Sequence, residues 1–187
     1  MGQLNFEVEI VEQGWLKGDA HYDVVAYDLC SHGDIRLVIG GEVISAGDRG
    51  EQKYGISETA LALLRTLEAD HSVDAPVAEQ LVMHGCGTIL MTTCPVGIDW
   101  SVSHIGGHVR IANVVRRDTV AAPDEVLFPG LTAEIDEAGY RRQVIAFADR
   151  AKELFAGIDK LLEDDFDRRE YEGFWREYEG LLQRARG

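Results

Sequence analysis

The sequence predicts an α+β fold. It consists of a mostly antiparallel sheet of about six or seven strands built from hairpins, one helix inserted after the third strand, and two C-terminal helices packing on the sheet as an αα-hairpin. Three observations carry this. Apolar and polar residues alternate at period two near the N-terminus and again between residues 98 and 115. Turn-forming residues, a glycine pair among them, separate short apolar runs, as tight hairpins require. From about residue 138 the apolar spacing becomes helical and stays so.

Taken in order, Leu4, Phe6, Val8 and Ile10 alternate with Asn5, Glu7 and Glu9, a strand with one buried and one acidic face. Residues 22–30 and 35–39 read as two strands, with Ser31-His32-Gly33-Asp34 as the turn between them. Ser57 is placed to cap a helix whose stripe is Ala60, Leu63, Leu64 and Leu67, ending near Asp70. Residues 81–84 and 88–93 suggest a second hairpin. Strands 98–105 and 108–115 meet at Gly106-Gly107, which pairs Ile105 with His108 and puts Trp100, Val102, Val109 and Ile111 on the core face. Residues 116–131 read as irregular. A helix follows with Tyr140, Val144, Phe147, Ala148 and Ala151 on one stripe, and Asp164-Asp165 marks a break or cap. The last helix holds REYEGFW and REYEGLL in succession, so Tyr171, Trp175 and Tyr178 lie on a seam. Two heptads are too few for a stable coiled coil, so the seam is expected to pack within the chain; a homodimer through it is the other expectation.

At 187 residues and 20.7 kDa the chain is expected to be one domain, with a sheet-rich part over 1–131 and a helical pair over 132–187. No apolar run reaches a membrane span. The start MGQLNFEVEI has neither a basic n-region nor an apolar h-region, so a cytoplasmic location is expected. An odd count of cysteines, Cys30, Cys86 and Cys94, without CxxC agrees with a reducing compartment. The net charge is −15, and residues 1–70 carry 13 acids against 5 bases. Nucleic acid and anionic membrane are excluded as partners, because both demand Lys and Arg against phosphate.

Catalytic signatures are absent. There is no G-x-S-x-G, no GK[ST] after the glycine loop at 40–55, and no complete dinucleotide fingerprint, so an enzyme is not the leading reading and no cofactor is expected. Two places carry the residue types of a site. His84, Cys86, Cys94, His104 and His108 crowd one stretch, and His84, Cys86 and His104 are the candidate ligand or metal site, although their spacing matches no zinc template. Cys30 stands beside His32, and a Cys–His dyad is conceivable there too; a structural thiol is the default at both. Asp23, Asp28 and Asp99 interrupt strand-like apolar runs, and Asp28 is the odder placement.

Size, acidity and missing catalytic motifs are similar in character to those of bacterial immunity proteins that antagonise nuclease toxins. No family motif carries the likeness, and no residue role is transferred by it. It implies a small acidic protein-binding module masking a basic partner through Glu7, Glu9 and Glu12. An enzyme, or a small-ligand- or metal-binding protein, using the His/Cys-rich segment 84–108 is the alternative.

Overall fold

The computed structural model describes residues 5–15, 24–48, 54–85, 94–119 and 125–187. It is α+β with two antiparallel sheets. In the first, β1 (Phe6–Gly14) pairs with β2 (His32–Ile39), and β2 also pairs with β3 (Glu42–Ala46) and β4 (Tyr54–Gly55). In the second, the order is β5 (Val82–Met83), β6 (Gly97–Ile105), β7 (His108–Arg117) and β8 (Glu125–Leu127), with β9 (Ala133–Asp136) also on β7. The helices are α1 (Val24–Tyr27), α2 (Ile56–Arg65), α3 (Glu137–Glu153) and α4 (Asp165–Arg186). Among the described residues no helix is long and apolar enough to cross a membrane.

The sheets touch through the bridge between Tyr54 and His84, and bulges between Ile10 and Glu12 and between Asp99 and Ser101 interrupt their strands. Bulges increase local twist. The single sheet expected from the hairpins is therefore two. The first hairpin also differs. Residues 24–27 form a helical turn, Ser31–Asp34 lead into and belong to β2, and the tight turn lies at Gly40-Gly41, both at positive φ. Glycine pairs favour that turn because both central residues need positive φ. At Gly106-Gly107 the same chemistry gives the expected register, Ile105 opposite His108, and buries Trp100, Val102, Val109 and Ile111. Residues 22–23 of the strand expected over 22–30, and the whole strand expected over 88–93, lie outside the described residues.

Ser57 does not cap α2. Gly55 precedes the helix, and the Ile56 amide donates to Ser31 O at 2.7 Å, so the chain enters the helix before Ser57. Residues 56–64 of α2 are all buried, between the sheets and α3 and α4. Each apolar side chain so buried contributes about 1.5–3 kcal/mol before entropy is counted. Phe6 ties the layers together, with its ring 5.3 Å from Tyr140 on α3 and 6.2 Å from Trp100 on β6. The N-terminal ends of α3 and α4 are capped by Asp136 and Asp164, whose carboxylates accept from backbone N–H groups.

The α4 seam folds back onto its own chain. Tyr178 is fully buried, and its hydroxyl donates to Ala148 O at 2.7 Å; Trp175 meets Phe155 edge-on at 4.6 Å. Trp175 and Tyr171 are half-buried along a groove of about 900 Å³ between α3 and α4. Nothing in the structure explains why residues 173 and 180 are both glycine.

Candidate metal centre

The segment joining α1 to β2 carries the densest chemistry among the described residues. Asp28, Cys30 and His32 are spaced by two, and all are buried. Asp28 Oδ1 accepts from the Cys30 amide at 3.3 Å, a local turn bond that short acidic side chains favour. His32 opens β2, paired with Gly14 on one side and Gly55 on the other. The His32 ring reaches Gly85, where an added Cβ would overlap Nδ1.

Three donor atoms converge. His32 Nε2 is 3.2 Å from Asp28 Oδ1, Cys30 Sγ is 3.6 Å from His32 Nε2, and Sγ is 3.7 Å from Asp28 Oδ1. A tetrahedral zinc ion with ordinary bond lengths holds such N, S and O ligands about 3.3–3.6 Å apart. The donors are thus already spaced as the edges of that polyhedron. The arrangement is not a nucleophile relay. A relay places the thiol on one imidazole nitrogen and the acid on the other, whereas here both face Nε2. His32 Nδ1 is buried and without a hydrogen-bond partner among the described residues.

The electrostatics agree. Burial first, and then the carboxylates of Glu58 and Asp28, push the Cys30 thiol well above its ordinary value. It is therefore a protonated thiol and a poor nucleophile. Burial also raises the Glu58 carboxyl, against the hydrogen bond that Ser57 Oγ donates to it at 2.8 Å. A divalent cation reverses this logic, because it deprotonates a coordinating thiol outright. Glu58 stands by as a further buried oxygen donor. The backbone is held from outside: Lys160 Nζ donates to Val25 O and Asp28 O, each at 2.6 Å, while lying 3.3 Å from the centre of the Trp15 ring.

A second thiol–imidazole pair lies next door. His84 Nδ1 is 3.6 Å from Cys94 Sγ, and both residues are half-buried. Burial, and then nearby His32, lower the His84 pKa, so this imidazole is neutral at neutral pH.

Of the expected site, only His84 is placed here. Cys86 lies outside the described residues. His104 is on β6, eight residues beyond Val96, whose carbonyl accepts from the His84 amide, so it is roughly 26 Å away at strand rise. There its ring and backbone N–H both reach Asp70 Oδ1 at 2.9 Å. Those bonds hold the Asp70 carboxyl below its usual range. The sign follows: this contribution is present above the carboxyl's unfolded value and is lost as pH falls through the depressed one. In His104→Ala the Asp70 titration, followed by carboxyl-carbon NMR, is expected to move up toward the ordinary carboxylate range, the backbone N–H bond remaining; an unmoved midpoint would show that the side-chain contact does not form in solution.

Asp99 serves the structure, accepting from Leu81 N at 3.2 Å and facing His71 Nε2 at 2.9 Å; Asp23 lies outside the described residues. Glu7, Glu9 and Glu12 share the outer face of the first sheet, because the bulge at Val11 returns Glu12 to the side of the other two. Arg36 sits among them, donating to Glu7 Oε1 at 3.1 Å. The chain matches no protein-family model, no curated protein and no solved structure.

Proposed function

We propose that this protein binds a divalent transition-metal ion of the zinc class through Asp28, Cys30 and His32. One observation carries the reading: a carboxylate and a thiol converge on the same imidazole nitrogen at tetrahedral-edge distances. In the metal-free cluster protons take the place of the ion, on the Cys30 thiol above all. Binding releases that proton, so affinity falls as pH falls. The mixed S, N and O donor set suits a borderline ion and does not suit magnesium or calcium, which take oxygen ligands.

Zinc titration against a chromophoric chelator at neutral pH tests this. One ion per chain is expected. Cys30→Ser and His32→Ala are each expected to weaken binding by about 100-fold or more, since even outer-shell partners of a metal cost 10–100-fold. A wild-type chain without micromolar zinc affinity, or a folded Cys30→Ser that binds as tightly, would refute the reading.

A second reading keeps the protein-binding module and rests on the other surface. What supports it is the bulge that aligns Glu7, Glu9 and Glu12 on one sheet face. A basic protein docking there leaves as salt rises, because exposed charges are screened beyond about 10 Å at 0.1 M. Pull-down at low and high salt, with Glu9→Lys as the variant, distinguishes it. Retention that ignores both changes tells against it.

A further inference from the structure

We propose that His84 and Cys94 form an outer capture site through which the ion reaches the buried cluster; this rests on the metal-binding reading above. The buried ligands are nearly closed to solvent, with Asp28 7% exposed and Cys30 and His32 each 1%. A hydrated ion cannot meet three such donors at once, and it must exchange waters for ligands stepwise. The half-buried pair offers the same two donor types at the same separation, 3.6 Å in both pairs. An ion that suits one suits the other, with water completing the outer shell.

The two pairs are neighbours by construction of the sheets. Tyr54 pairs with Gly33 on one side and bridges to His84 on the other, so the His84 backbone lies two strand steps from the residue after His32. Gly85, next to His84, packs against the His32 ring. The absence of a side chain at residue 85 is what leaves room for the inner ring. Cys94 is held by Gln80, whose Nε2 donates to Cys94 O at 3.1 Å. No redox step is involved: each thiol loses its proton to solvent as the metal–sulfur bond forms, and the thiolate regains one when the ion moves on.

A capture site is absent from the loaded end state, so altering it changes the barrier and leaves the equilibrium alone. The experiment is stopped-flow loading of the full chain with Co²⁺, whose thiolate charge-transfer band reports sulfur coordination, followed by removal with excess chelator. Cys94→Ser and His84→Gln are made singly, with His108→Gln, at the exposed Gly106-Gly107 turn, as control. Loading and removal are both expected to slow by about ten-fold or more in the first two variants, with the equilibrium constant held within about three-fold and the control unchanged. Unchanged rates, or equal slowing in the His108 variant, overturn the proposal. So does slower loading with unchanged removal, because that places the pair among the final ligands. Loss of the band in Cys30→Ser with normal loading in Cys94→Ser removes only the capture step. A wild-type chain with no sulfur band removes the metal-binding reading itself.

Discussion

Tyr178→Ser is expected to destabilise the fold by about 4 kcal/mol, within the range for removing a large buried aromatic. The ring is fully buried between α4 and α3, 5.9 Å from Phe174 and 5.1 Å from Trp175. Its loss opens a cavity, leaves a serine hydroxyl in apolar surroundings and removes the bond to Ala148 O. At a few degrees per kcal/mol for a chain of this size, Tm should fall by about 10–15 °C. Tyr178→Phe keeps the ring and should cost only about 1 kcal/mol. Thermal and denaturant melts check both, with light scattering alongside. Were the seam an interface between two chains, the serine variant would become monomeric with its monomer stability intact. That outcome would reverse the assignment of the seam to the chain's own core.

The second large effect concerns Gly85→Ala. A Cβ there would overlap His32 Nδ1 and meet the Gly55 nitrogen at 3.0 Å and the Tyr54 carbonyl carbon at 3.1 Å. Two of these are backbone atoms and the third belongs to a buried ring, so the strain has no cheap outlet. Overpacking of this kind costs about 1–3 kcal/mol. Relief comes by turning the His32 ring, which moves Nε2 off the point where Asp28 and Cys30 converge. Zinc affinity should therefore fall by about ten-fold or more, as for other groups that orient a ligand. Gly14→Ala is the control: it also pairs with His32, yet nothing lies within 4 Å of its added Cβ. Equal zinc affinity in the Gly85 variant would mean that the ring's position does not matter to the ion, and the cluster would lose its claim to be a metal centre.

The sequence by itself determined what short-range chemistry controls. Phe6 and Val8 face inward and Glu7 and Glu9 outward because side chains alternate along a strand. Gly106-Gly107 set one hairpin register because few residues other than glycine accept positive φ twice in succession. Asp164 ended the linker and began α4 because its carboxylate meets exposed helix amides. The oddness of Asp28 was also legible, as an acid in an apolar run. Tertiary structure decided the rest. Ser31–Asp34 carry good turn residues, yet pairing with β1 and β4 draws them into or against β2, so the period-two spacing Asp28, Cys30, His32 becomes one cluster instead of being split by a turn. His84 meets Cys94 and not His104 because β6 carries His104 away along its length toward Asp70. Both outcomes depend on contacts between residues far apart in the chain. Their free energy comes from burial and strand pairing across those distances, and no local spacing records it.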